Sequence, residues 1–76
     1  MKELVEYLAK SLVSQPDAVV VTEEQRGETR VYRVSVHPSD TGKVIGRHGR
    51  IAKAIRSVVS AAAHRENQQV VVDIEA

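Results

Sequence analysis

Seventy-six residues form one small domain, 1–76, whose thin core leaves no room for an enclosed catalytic chamber, since a chain of this size buries only about 60% of its unfolded surface. Hydrophobic residues at 42% and charged residues at 28% describe a folded chain rather than a disordered tail, and the lack of cysteine excludes disulfides, thiolate chemistry and cysteine-based zinc sites. The formal net charge is only +1, no apolar run approaches the length of a membrane span, and Met1-Lys2-Glu3-Leu4 opens an amphipathic pattern rather than a signal peptide, so a cytoplasmic protein without membrane insertion is expected.

Residues 3–13 place Leu4, Val5, Leu8 and Leu12 at helical spacing with Ala9 and Val13 beside them, which predicts an amphipathic helix. Gln15-Pro16-Asp17 ends it, because proline disfavours the helical conformation in the residue before it. A β-branched run follows over residues 18–22, and Gln25-Arg26-Gly27-Glu28 supplies a polar turn. Residues 29–36 then alternate, with Tyr32, Val34 and Val36 on one face and Val31, Arg33 and Ser35 on the other, so the two runs are expected to pair as a β-hairpin. Pro38-Ser39-Asp40 begins a short helical turn with Ser39 or Asp40 as its cap, and Gly46 interrupts the segment after Val44 and Ile45.

From Gly49 or Arg50 a longer helix is predicted to turn Ile51, Ala54, Ile55, Val58, Val59, Ala61 and Ala62 toward the core, with Arg50, Lys53, Arg56 and Ser57 on its exposed face. Glu66-Asn67-Gln68-Gln69 makes the next turn, and Val70, Val72 and Ile74 mark one face of a final strand. The order α-β-β-α-α-β implies an α+β two-layer fold, three helices on a three-stranded mixed sheet. The hairpin supplies the antiparallel pair, and the last strand can return parallel to an earlier one.

The chemistry is concentrated in one stretch. Residues 41–65 hold Lys43, Arg47, Arg50, Lys53, Arg56 and Arg65 and no acid, while the remainder of the chain has five basic and ten acidic side chains, a net of −5. One basic segment in an otherwise acidic molecule points to an anionic partner. Inside it lies Gly46-Arg47-His48-Gly49, a Gly-x-x-Gly loop joining two predicted helices and bracketed by Ile45 and Ile51. Gly46 can take a special backbone angle, and Gly49 removes a side chain where a nucleotide backbone must pass closely. Amides at the start of the following helix can receive a phosphate oxygen, with Lys43, Arg47, Arg50 and Lys53 adding attraction.

On these residues, and above all on Val44-Ile45-Gly46-Arg47-His48-Gly49-Arg50-Ile51, the chain resembles a K-homology (KH) RNA-binding domain. The element order is that of the type II KH arrangement, and the whole chain is similar to the small single-domain bacterial KH proteins of the KhpA family. The resemblance implies that four single-stranded nucleotides cross a groove beside the loop, with Ile45 and Ile51 in its apolar floor, residues of the second strand opposite, and His48 near phosphate or base. The RNA-binding residues it implies are Lys43, Ile45, Gly46, Arg47, His48, Gly49, Arg50, Ile51 and Lys53. It further implies a homodimer, a larger KhpB-like KH-containing partner, and an RNA chaperone or post-transcriptional regulator linked to cell elongation and envelope homeostasis.

Other classes fit less well. No Walker A or dinucleotide fingerprint is present, and the proximity of His37, Ser39 and Asp40 does not assemble a nucleophile, base and oxyanion site, so no catalytic residue is assigned. His37, His48 and His64 show no metal-ligand spacing, and neither a metal nor a cofactor is expected. Tyr7 and Tyr32 are the only aromatics, which argues against readers that stack bases on aromatic platforms. Single-stranded DNA stays open as a ligand. The competing class is an interaction scaffold in which the fold chiefly binds protein, with Ala61, Ala62 and Ala63 permitting close helix contact.

Overall fold

Helix α1 (Lys2–Leu12) forms on the expected period, but its buried line is narrower than the leucines suggest. Val5 and Ala9 are buried, Leu4 and Leu8 are half-buried, and Leu12 is exposed. The computed structural model describes residues 1–75. A single turn over Pro16–Ala18 leads into β1 (Val20–Arg26), which starts later and runs further than the β-branched run alone indicates. The hairpin loop shrinks to Gly27 and Glu28, because Gly27 takes the positive φ (59°) that a tight two-residue loop demands. Strand β2 (Thr29–Ser35) pairs antiparallel with β1, Val21 opposite Val34 and Glu23 opposite Tyr32.

Strand β3 (Gln69–Ile74) runs parallel to β2, with Tyr32 beside Val72 and Val34 beside Ile74, so the sheet order is β1-β2-β3. A short helix, α2 (Thr41–Ile45), and a long one, α3 (Arg50–Arg65), complete the chain order, and α1 and α3 cover one face of the sheet. The α+β two-layer fold with three helices on a mixed three-stranded sheet is thus as expected from the sequence. The core joins Val5, Ala9, Val21, Tyr32, Val34, Ile55, Val59 and Val72. Each fully buried valine among them stabilises the fold by roughly 1.5–2 kcal/mol.

Helix α3 departs from the prediction in a way that matters for function. Its core line is Ala52, Ile55, Val59 and Ala63, while Ile51 and Ala62 are half-buried and Ala54, Val58 and Ala61 are exposed. The apolar residues therefore form two stripes a third of a turn apart, and only one of them faces the sheet. A hydrophobic period cannot distinguish a core-facing stripe from one facing a partner, and alanine at 52 and 63 is too small to signal burial.

Candidate nucleic-acid interface

Three of the four residues of the glycine loop, Gly46, His48 and Gly49, take positive φ. Gly46 closes α2 by donating its N–H to the Gly42 carbonyl (2.8 Å) and takes φ 76°, ψ 173°, a region almost confined to glycine. A Cβ at this position would lie 2.6 Å from Ile51 Cγ1 and 3.0 Å from Ile51 Cβ, so the loop folds back onto the first turn of α3. Arg47 is exposed, and His48 (φ 57°) and Gly49 (φ 72°) turn the chain into α3, histidine being one of the few residues that tolerate this conformation. Gly49 is the N-cap of α3 and offers no side chain to the first-turn amides, which leaves the positive end of a sixteen-residue helix without a side-chain cap at the loop.

The structure brings most of the sequence-derived site together. Ile45 and Ile51 are half-buried on either side of Gly46; Arg47, His48, Arg50 and Lys53 are exposed on the loop and the first turns of α3. Among the described ion pairs none involves Arg47, Arg50 or Lys53, so their charge is unneutralised. Lys43 stands apart, its ammonium on Asp40 Oδ1 (3.3 Å) and on the Ser14 hydroxyl.

Two expectations need correcting. The strand beside α3 is β3, not the second strand: β2 is enclosed between β1 and β3, and α3 packs along β3 at the sheet edge. Arg56, on the exposed face of α3, reaches across that edge and donates from Nε to the Val72 carbonyl at 3.1 Å. Because strand residues two apart point their backbone groups the same way, Val70 and Ile74 also present N–H and C=O at this unpaired edge. Neither Ser39 nor Asp40 caps a helix with its side chain; His37 Nδ1 accepts from the Ser39 N–H at 3.1 Å instead.

Asp40 is buried and bonded to a distant segment of the chain. It is 1% exposed, and its carboxylate accepts from the backbone N–H of Ser14 (3.2 Å) and of Gln15 (3.0 Å). Nothing in the local sequence signals bonds to residues some 25 positions away. Burial pushes the Asp40 carboxyl up, but the two amides and Lys43 outweigh it and hold it below its ordinary value of 3.8. A depressed carboxyl stabilises the fold fully above its unfolded value and loses that contribution as the pH falls through the folded one. The Tm advantage of the wild type over Asp40→Asn is therefore expected to be constant from neutral pH down to about pH 5 and to shrink below 3.8. Thermal melts of both proteins across this range check it.

The fold and loop define a KH domain, and comparison with known proteins agrees. The model of the KhpA/KhpB KH-domain family matches residues 2–74. An RNA-binding protein KhpA from Clostridium perfringens is 58% identical over 74 residues, which cover 97% of this chain and 99% of that protein. The KhpA of Streptomyces coelicolor is 44% identical over 75 residues, 99% of this chain and 95% of its own length. Among solved structures, Aquifex aeolicus Era Y63A bound to GDP·AlF4⁻ superposes with a TM-score of 0.60 at 17% identity. It covers 96% of this chain, which spans only 28% of that one, and the likeness is one of fold alone. The chain belongs to the KhpA/KhpB KH-domain family, a noncatalytic family of RNA-binding proteins. No helix among the described residues is long and apolar enough to cross a membrane.

Proposed function

We propose that this protein binds single-stranded RNA in the groove between the Gly46–Gly49 loop, the start of α3 and the free edge of β3. The observation that carries the reading is the loop itself, where Gly46 packs directly on Ile51 and three unpaired cations surround an uncapped helix N-terminus. The backbone of the bound strand crosses the loop, held by Arg47, Arg50 and Lys53, with His48 beside it. Bases lie over Ile45 and Ile51 and meet the N–H and C=O groups of Val70 and Ile74. We assign RNA rather than DNA from the RNA-binding relatives. Fluorescence anisotropy with a labelled mixed-sequence single-stranded RNA and its DNA counterpart tests this: the RNA is expected to bind more tightly, and Arg47→Gln with Arg50→Gln to weaken it.

The working form in this reading is a homodimer, and the second apolar stripe of α3 supports it. Val58 is 47% exposed, Leu12 38% and Tyr7 70%, and with Leu8, Ile51 and Ala54 they line a groove of about 510 Å³ between α1 and α3. Two α3 helices packed antiparallel about a two-fold axis at Val58 would lay the exposed Ala54, Val58 and Ala61 of each against those of the other, which is the self-complementarity such an interface requires. Val58→Asp is expected to convert the dimer to a monomer in analytical ultracentrifugation while leaving the circular dichroism spectrum intact. A larger KhpB-like protein would compete for the same face. Post-transcriptional regulation or RNA chaperoning in the cytoplasm, tied to cell elongation and envelope homeostasis, completes the proposal, and dimerisation suits it by doubling the contacts of a small site.

A further inference from the structure

We propose that Asp40 and Lys43 are positioning residues of the RNA site, a latch built on one buried carboxylate and closed at the surface by Lys43, that fixes the glycine loop against the α1–β1 connection, and that Lys43 neutralises Asp40 rather than an RNA phosphate. The proposal rests on the loop being the RNA site. Asp40 is the only buried polar residue among those described, and both of its oxygens are engaged: Oδ1 by the Ser14 N–H and the Lys43 ammonium, Oδ2 by the Gln15 N–H. It immediately precedes α2, whose five residues are too few to hold a helix by themselves. The short helix is fixed by what grips it, namely Val44, fully buried beneath it, and Asp40 at its start.

Five helical residues advance the chain by about 7.5 Å. A shift at Asp40 is therefore carried almost directly to Gly46 at the other end. Contact geometry at a binding site must hold to about 0.5 Å, which is what a buried, fully bonded carboxylate provides and a solvated loop does not. Lys43 closes the latch from within α2. Its ammonium turns back to the Ser14 hydroxyl and to Asp40, so its charge is matched by a buried carboxylate, in contrast to Arg47, Arg50 and Lys53. The lysine that reads from sequence as a phosphate ligand thus belongs to the scaffold of the loop.

The salt dependence of binding separates the two roles. Each phosphate contact on a single strand contributes about 0.7 to the slope of log K against log salt concentration, whereas a positioning residue changes affinity and leaves the slope alone. With a labelled mixed-sequence single-stranded RNA, at a temperature where circular dichroism shows each variant folded, Asp40→Asn and Lys43→Met are each expected to weaken binding about tenfold at unchanged slope. Lys43→Arg, which keeps donors for both Asp40 and Ser14, is expected to restore affinity. Arg47→Gln is expected to lower the slope by about 0.7. Wild-type affinity in folded Lys43→Met, or a slope reduced as in Arg47→Gln, would overturn the assignment; should Asp40→Asn not fold, the two Lys43 variants decide it. If Arg47→Gln moves neither affinity nor slope, it is the RNA site itself, and the proposal with it, that fails.

Discussion

Gly46→Ala is expected to destabilise the protein by about 2–4 kcal/mol, whereas Gly49→Ala, a residue three positions along the same loop, costs about 1 kcal/mol. The two glycines look equivalent in sequence and are not equivalent in space. At Gly46 the backbone occupies a conformation that costs other residues about 1–3 kcal/mol, and the added methyl would meet Ile51 at 2.6 Å from Cγ1 and 3.0 Å from Cβ. Rotation of Ile51 can relieve the contact with its outer carbons but not the contact with Cβ. At Gly49 nothing lies within 4 Å of an added Cβ, and the cost is that of an ordinary left-handed residue. For a domain of this size the difference separates a fall in Tm of about 10–25 °C from one of about 5 °C. Thermal melts decide it, and a double mutant with Ile51→Ala should recover part of the Gly46→Ala loss, because the two sites share the contact.

The largest effect on binding is expected from reversing the two loop arginines together. Arg47→Glu with Arg50→Glu replaces two unpaired cations by two anions at the uncapped start of α3, where the proposed site receives the strand's phosphates. Affinity for single-stranded RNA should fall roughly 100-fold near 0.1 M salt, and the salt slope by at least about 1.4, two phosphate contacts' worth. Both side chains are exposed, so the fold should be untouched, and an unchanged melting curve accompanies the loss. The same reversal at Arg65, exposed in the last turn of α3, should change binding little. Titrations at three salt concentrations give affinity and slope in one experiment.

Much of this architecture is legible in the chain. The alternation of Tyr32 and Val34 against Val31 and Arg33, the helical spacing of Val5 and Ala9, and the break at Pro16 each reflect local geometry, and each element appears in the fold. The loop is legible for the same reason, since Gly46 and Gly49 are needed by the backbone at their own positions. What depends on contacts between distant segments is not legible. The bonds from Asp40 to Ser14 and Gln15 join residues far apart in sequence, and the partnership of α3 with β3 follows only from the order of the sheet. The exposed stripe of Ala54, Val58 and Ala61 has the period of a core stripe, and only the placement of α1 shows that the sheet lies elsewhere. Lys43 illustrates the cost of counting charges along a chain: it lies in the basic segment, yet its charge is answered by a buried carboxylate.

The central claim is that RNA lies across the Gly46–Gly49 loop and along the edge of β3. Backbone amide spectra of isotope-labelled protein, recorded while a short mixed-sequence single-stranded RNA is added, test it most directly. The largest shifts are predicted for Gly46 to Ile51, Lys53, Val70 and Ile74, with little change in β1. Shifts confined to Tyr7, Leu12, Ala54 and Val58, or none at the predicted residues at saturating RNA, would contradict it.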